Sequence, residues 1–227
     1  MKHSSDSERY TSQTHRAVAD LRGLIFSGEL PAGTDHLEIE LAERLSMSRT
    51  PVREAARVLE AQGLLEVRPR KGVRILSLSA NDMDEIYVVL TELESLAAGL
   101  AARGKYTKKE LRPLLGTVAD MEASLKRVDR EAWAEADARF HDELVRLAGN
   151  SRMAAIISNF NDQVRRARAF TLHIRPLPVK SNEEHRALYE AIARGDEKGA
   201  RKMHWQHREN ARKLLTSILE EVGMKHL

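Results

Sequence analysis

The second half of the chain contains residue types that could bind a metal ion, one carboxylate and three imidazoles: Asp137, His141, His185 and His207. Asp137 and His141 are four residues apart, a spacing that places both side chains on one face of a helix. His185 and His207 each share a face with apolar residues at helical spacings, which predicts that both imidazoles point into a core. This donor set suits a borderline divalent cation such as zinc, nickel, cobalt or manganese. The spacing alone leaves open that each inward histidine is a hydrogen-bonded core residue.

A different chemistry is indicated by a predicted helix that opens near Ser48 and ends at Gly63. Arg49, Arg53 and Arg57 fall within one arc of this helix, and its apolar residues fall on another. One side can therefore pack while the other meets DNA. Arginine pairs bidentately with guanine in the major groove, a role that we assign to Arg49 and Arg53. The other predicted contacts are Arg44 and Arg57 with phosphates, Thr50 with a base or a phosphate, and Ser48, which with Thr50 is also a candidate N-cap.

The elements around this helix predict a winged helix-turn-helix. A short amphipathic helix over residues 38–45 precedes it across a turn at Ser46 and Met47. Two β-type runs, residues 64–67 and 73–76, flank a cationic tip and predict a hairpin, or wing. Residues 44–74 hold eight Lys and Arg against three Glu, whereas the whole chain has a net charge of only +3. This local excess favours salt-sensitive attraction to DNA.

The composition excludes several classes of protein. The 227 residues include no cysteine, which excludes disulfides and thiolate metal sites. No run approaches the 18 apolar residues of a membrane span, and the N-terminus has no apolar segment typical of a signal peptide. We therefore expect a cytoplasmic protein with no membrane partner.

From Ser79 onward the pattern becomes wholly helical. The fold class predicted is mainly α, an N-terminal winged helix-turn-helix followed by a C-terminal antiparallel all-α bundle. Capping boxes are predicted at Thr107–Glu110 and Ser181–Glu184. The six predicted helices cover about residues 83–104, 107–128, 130–148, 152–173, 181–194 and 197–222. Bundles commonly bind ligands in the core between facing helices.

Motifs in both halves resemble one regulator family. Those of the first half resemble the winged-helix domain of GntR-type bacterial transcription regulators, and they are residues 27–33, Leu41-Ala42, residues 48–55 and residues 63–65. The motifs of the second half resemble the FCD effector domain of the FadR subfamily. These motifs are residues 137–141, Gly149-Asn150, residues 184–196 and His207. Together the resemblances cover about residues 12–220.

The resemblance implies a DNA-binding domain over residues 1–78 and a helical effector-binding and dimerisation domain over residues 79–227. It places the wing contacts with DNA at Arg70, Lys71 and Gly72. It also implies that the matching Asp and three His bind a divalent metal, zinc first with nickel or manganese as alternatives, beside a small-molecule pocket.

One departure from the FCD pattern concerns charge pairing. Many FCD proteins have an arginine four residues before the glutamate that matches Glu94, whereas this chain has Leu90. The arginine must then come from elsewhere, or the effector is less acidic. Arg168 is the candidate effector contact, with a snorkelling side chain at a helix edge as the alternative. His204 does not match the family offset from Asp196, and we expect it to be exposed to solvent.

These observations predict a metabolite-responsive repressor that acts as a homodimer on a double-stranded DNA operator with palindromic half-sites. Its effector is expected to be a small organic acid or a related metabolite. Two alternatives remain at this point. A metal held by Asp137 and histidines could activate water in a hydrolase-like bundle, although no glutamate or other base stands beside the ligands in a recognisable sequence motif. The metal could instead be purely structural.

Overall fold

The fold is taken from a computed structural model, which describes residues 2–221 and their side chains from residue 13 onward. It divides into two compact units, one ending at Ser79 and the other beginning at Ala80. Among the described residues no helix is both long enough and apolar enough to cross a membrane. The mainly α fold class predicted from the sequence is confirmed.

The first unit contains three helices and a small sheet within the described residues. Its elements are α1 (Lys2–Phe26), β1 (Asp35–His36), α2 (Glu38–Arg44), α3 (Arg49–Ala61), β2 (Leu65–Arg68) and β3 (Gly72–Ile75). The sheet is antiparallel in the order β1-β3-β2, with Val67 opposite Val73 and Asp35 opposite Arg74. The helix-turn-helix and the wing are thus confirmed within two residues of their predicted bounds. The sequence pattern did not predict β1.

Helix α3 is fixed by its apolar face. Four of its buried residues, Val52, Ala55, Ala56 and Leu59, pack into a core shared with Ala17, Leu21 and Ile25 of α1. The arginines of α3 stay exposed on the opposite side. Ser48 occupies the N-cap position, but its hydroxyl makes no capping hydrogen bond. Gly63 follows the helix at φ 68°, a conformation that glycine adopts readily.

The second unit is a bundle of six helices within the described residues. They are α4 (Ala80–Arg103), α5 (Arg112–Lys126), α6 (Arg130–Leu147), α7 (Ser151–Phe170), α8 (Val179–Ala193) and α9 (Glu197–Glu221). Helix α4 packs mainly along α9 and also contacts α6, α7 and α8, while α5 packs on α6. Part of the core between them is an apolar cluster, with Trp133, Phe140 and Leu188 among its buried members.

Three predicted helix starts differ from the structure by two residues or more. The first bundle helix, predicted from about residue 83, begins at Ala80. Thr107 and Glu110 make the hydrogen bonds of the predicted capping box, Thr107 N to Glu110 Oε2 at 2.8 Å among them, but residues 108–111 form turns and α5 begins only at Arg112. The box predicted at Ser181 is wrong. Helix α8 begins two residues earlier, after Pro178, because the ring of proline holds a φ of −82° at the N-cap. Glu184 is then free of a capping role.

Candidate functional site

The four predicted metal ligands converge in the core of the second unit. Asp137 and His141 lie one turn apart on α6, His185 lies on α8 and His207 on α9, and all four are buried. His185 Nε2 is 3.4 Å from Asp137 Oδ1 and 3.5 Å from His141 Nε2. One donor atom of each residue lies within 4.8 Å of the others. Ligand atoms of a tetrahedral zinc ion lie roughly 3.3–3.5 Å apart, because each bond is about 2.0–2.1 Å long. The spacing therefore fits one cation.

Electrostatics make this cluster suitable for a cation. Neither oxygen of Asp137 accepts a hydrogen bond from another described residue, although Arg168 Nη2 lies 2.7 Å from Oδ2. Burial alone would raise the pKa of Asp137, but the charge of Arg168 and the neighbouring imidazoles hold that pKa below its usual range. Burial lowers the pKa of His185 to about 3 and that of His141 well below its ordinary value. The site thus combines an anionic carboxylate with the neutral imidazoles of His141 and His185, and these are the forms that bind metals.

Carboxylates outside the cluster face the other nitrogens of two of these histidines. His207 Nδ1 lies 2.8 Å from Glu184 Oε2, and Asn210 donates to the second oxygen of Glu184 at 2.9 Å. His141 Nδ1 lies 3.3 Å from Glu94 Oε2. Burial would raise the pKa of Glu184, but the hydrogen bond and the charge of His207, together with the hydrogen bond from Asn210 and the charge of Lys180, lower it. Such outer carboxylates orient imidazoles that bind metals.

The prediction that His204 is exposed to solvent is wrong. His204 is fully buried rather than exposed, with Nδ1 3.4 Å from Ser95 Oγ and Nε2 3.4 Å from His141 Nδ1. The reason is that α4 packs along α9 and covers the face that holds His204. The spacing of Ala200, His204 and Arg208, each four residues apart, could have indicated this buried face.

Arg208 is a buried charge that the sequence reasoning missed. It donates from Nε to Glu94 Oε2 at 2.6 Å and from Nη2 to the other oxygen. Its guanidinium also lies 5.7 Å from the ring centroid of Tyr87. Burial would lower the pKa of Arg208, but Glu94 raises it above the usual value. Glu94 of α4 is thus paired with an arginine of α9, and Leu90 is buried in the core.

A cavity of about 270 Å³ adjoins the cluster. His207, Arg168 and Glu184 form part of its wall, so the cavity reaches the edge of the ligand set. Its other cations are Arg130, Arg175 and Lys180, and its apolar lining includes Tyr87, Trp133, Leu172, Leu177 and Leu214. Burial lowers the pKa of Arg175 to about 10, which leaves it charged at neutral pH. The excess of cations favours an anionic ligand.

Two of these arginines also shape the cavity wall. Arg130 donates to the carbonyls of Leu172 and Arg175, at 3.2 and 2.8 Å. Arg175 in turn donates to the carbonyl of Arg168 at 2.9 Å. These bonds hold the segment between α7 and α8 against the rest of the bundle. Arg168 is mostly buried against Asp137, with 17% of its side chain exposed, and is not a snorkelling side chain.

The predicted DNA-reading side chains lie on the exposed face of α3. Arg49 and Arg53 both reach Glu38 of α2, at 3.6 and 3.1 Å. Ser48 and Thr50 are exposed at the start of the helix. Arg57 pairs with Glu54 at 3.2 Å and Arg44 pairs with Glu29, both on the surface. Exposed pairs of this kind are weak, so these guanidinium groups can exchange their carboxylates for DNA.

The wing places its charges at an exposed turn. Arg70 and Lys71 are exposed between β2 and β3, and Arg70 has φ 64°. Gly72 has φ 83°, and a Cβ on it would lie 2.1 Å from the carbonyl oxygen of His36 in β1. Glycine is thus required by the close approach of β1, a reason independent of DNA.

Comparison with known proteins identifies both units. Residues 13–75 match the family described as bacterial regulatory proteins, gntR family, and residues 85–210 match the FCD domain. A probable D-xylose utilization operon transcriptional repressor of Paenarthrobacter nicotinovorans is 34% identical over 172 residues, which cover 76% of this chain and 75% of the relative. An HTH-type transcriptional regulator of Agrobacterium vitis is 41% identical over 145 residues, which cover 63% of this chain and 85% of that relative.

Solved structures share the fold. McbR/YncC of E. coli superposes with a TM-score of 0.76 at 22% identity, over 90% of this chain and 97% of that chain. A putative GntR regulator from Rhodococcus sp. RHA1 gives 0.73 at 22% identity, over 91% and 98%. The family and its relatives are transcriptional regulators, which removes the hydrolase alternative. The chain belongs to the GntR family of bacterial regulatory proteins, with an FCD domain as its second unit, and is a DNA-binding transcriptional regulator.

Proposed function

We propose that this protein is a repressor whose helical unit holds a divalent metal beside a pocket for a small organic acid. The observation on which this depends is the buried cluster of one carboxylate and three imidazoles at the edge of a cationic cavity. Asp137, His141, His185 and His207 would hold the ion, with zinc first and nickel or manganese as alternatives. A bound ion would supply a Lewis-acidic positive charge that attracts an anionic ligand.

Arg168 is the proposed contact for the carboxylate of the effector. It lies on the cavity wall with its guanidinium against Asp137. A metal on Asp137 would compete with Arg168 for that carboxylate, which would leave the guanidinium available to an incoming acid. Pockets for drug-sized molecules have volumes of about 300–1,000 Å³, so a cavity of about 270 Å³ suits a smaller metabolite.

The proposed DNA contacts divide into three groups. Arg49 and Arg53 read guanines. Thr50 and Ser48 contact bases or phosphates at the start of the helix. The residues that contact the DNA backbone or the minor groove are Arg44, Arg57, Arg70, Lys71 and Gly72. A homodimer would place two such units on the half-sites of a palindromic operator in the cytoplasm. Three exposed apolar side chains on α4, Val88, Val89 and Leu96, support a self-association surface.

Regulation would follow from unequal binding to two arrangements of the dimer. An effector can change DNA affinity only by the difference in its affinity for the two. We propose that the acid favours the arrangement that binds the operator poorly, so that repression is relieved.

The first test is metal analysis of the purified protein by inductively coupled plasma mass spectrometry, beside a His185→Ala/His207→Ala double variant. About one metal per chain, lost in the variant, is the expected result. A panel of small carboxylates is then titrated against binding to a DNA duplex selected from a random library. A protein that stays metal-free after incubation with zinc, nickel and manganese would refute the metal. Metal that stabilises the fold, with no acid changing DNA affinity, would instead indicate a structural ion.

A further inference from the structure

We propose that Glu94, clamped by Arg208, fixes the tautomer of His141 that presents Nε2 to the metal, and so sets metal affinity from outside the ligand set. The inference rests on the metal site of the proposed function. It assigns a role to a buried ion pair and to a histidine, His204, that the ligand set does not use.

Three nitrogen atoms meet at Glu94 Oε2. Arg208 Nε lies 2.6 Å from it, His141 Nδ1 lies 3.3 Å away and His204 Nε2 lies 3.5 Å away. Glu94 and His204 are almost completely buried, so no bulk water replaces these contacts. The groups come from three helices, α4, α6 and α9, which makes the arrangement a product of the packed bundle.

The contacts determine where the proton of His141 resides. A neutral imidazole has one N–H, and a carboxylate is purely an acceptor. With Nδ1 beside Glu94, the N–H belongs on Nδ1, and the lone pair remains on Nε2. That Nε2 lies 3.5 Å from His185 Nε2 and 3.8 Å from Asp137 Oδ1, inside the ligand cluster.

His204 completes the same arrangement. Its Nε2 and His141 Nδ1 are 3.4 Å apart, so they could in principle share one proton between them. Glu94 Oε2 lies beside both nitrogens, and an anion there favours an N–H on each. His204 Nδ1 is then the acceptor for the hydroxyl of Ser95, 3.4 Å away. With the proton of His141 on Nδ1, the lone pair on His141 Nε2 is available to the metal.

Arg208 allows Glu94 to remain an anion in this position. A buried carboxylate without a counter-charge is strongly unfavourable, whereas two hydrogen bonds from one guanidinium compensate it. The pair joins α4 to α9, the helix that also supplies the ligand His207.

Glu94→Gln tests the inference because it keeps the size of the side chain. An amide can donate to His141 Nδ1, which would place the N–H on Nε2, facing the metal. Loss of an outer-shell partner typically weakens metal binding by about 10–100-fold. Glu85→Gln is the matched control, since it makes the same charge change on an exposed position of the same helix.

Two measurements give the readout. Zinc affinity is measured by competition with a chromophoric chelator for the wild type, Glu94→Gln, Glu85→Gln and Asp137→Ala. The tautomer of His141 in the metal-free protein is read from long-range ¹H–¹⁵N spectra of ¹⁵N-histidine-labelled protein, with a His141→Gln variant for assignment. We expect a 10–100-fold weaker zinc affinity and a shift of the proton to Nε2 in Glu94→Gln alone, with zinc binding abolished in Asp137→Ala.

Glu94→Gln could also fail to fold, because it leaves Arg208 buried without its anion. The double variant Glu94→Leu/Arg208→Met then takes its place, since an apolar pair often replaces a buried ion pair without loss of stability. Zinc affinity in the folded variant equal to that of the wild type would overturn the inference and leave the metal site intact. Absence of zinc binding in the wild type would overturn the metal site itself, and the inference with it.

Discussion

Replacing Arg168 with methionine should destabilise the metal-free protein much more than the metal-loaded protein. Asp137 is completely buried, and Arg168 Nη2, 2.7 Å from its Oδ2, is the nearest full positive charge among the described residues. Methionine keeps most of the apolar stem of the arginine but removes the charge. Asp137 must then either stay ionised without compensation or take up a proton.

The cost of protonation limits the loss of stability. The ordinary pKa of an aspartate is 3.8, so protonating it at pH 7 costs about 4 kcal/mol, at 1.36 kcal/mol for each pH unit. Breaking a buried ion pair by removing one partner costs about 3–5 kcal/mol. We therefore expect a loss of about 3–4 kcal/mol in unfolding free energy without metal. For a unit of this size that corresponds to a fall of roughly 6–16 °C in Tm.

A bound cation should remove most of this loss. It would be the largest charge beside Asp137, so the variant is expected to lose less than about 1 kcal/mol when loaded with zinc. The assay is thermal unfolding by circular dichroism in EDTA and in excess zinc. Arg165→Met, an exposed position on the same helix, is the control and should change stability by about 0.5 kcal/mol or less. Equal losses with and without zinc, or a loss in EDTA no larger than that of the control, would refute the reasoning.

Three further results are expected. In a fluorescence anisotropy titration, Arg53→Ala should weaken binding to a selected operator by about 1–3 kcal/mol with little effect on binding to random DNA. Arg57→Ala should weaken binding to the operator and to random DNA equally. Equal effects of the two variants would count against the assigned roles. In the metal-free protein, lowering the pH from 7 to 5 should reduce the free energy of unfolding by about 2 kcal/mol through His185, because its pKa is about 3 in the folded protein and 6.5 in the unfolded chain, which therefore binds the extra proton. His185→Phe should flatten this part of the pH profile of urea unfolding. An unchanged profile would contradict the prediction. Gly72→Ala should destabilise more than Gly28→Ala, since both have a positive φ, which costs about 1–2 kcal/mol, but a Cβ only at Gly72 meets the backbone of His36; equal Tm values for the two variants would show that the contact is harmless.

The sequence predicted what depends on neighbours along the chain. Periodicity identified α3 as a helix with arginines on one side and apolar residues on the other, because residues three and four apart share a face. The same rule placed Asp137 and His141 together on α6. Gly63 ended α3 as predicted, since a positive φ suits glycine. Helix starts were less predictable, because Pro178 fixed the start of α8 ahead of the expected cap.

The tertiary structure decided which faces meet. Glu94 and Arg208 are 114 residues apart, and their pairing depends on α4 lying along α9. The same packing buried His204, which the family offset from Asp196 had led us to expect in solvent, and the bundle brought Arg168 of α7 onto Asp137 of α6. Helical periodicity states which residues share a face, but it contains no information on the helix that covers that face. The sequence therefore determines which charged residues are present and which of them share a helix face, whereas the packing of the helices determines which charges pair.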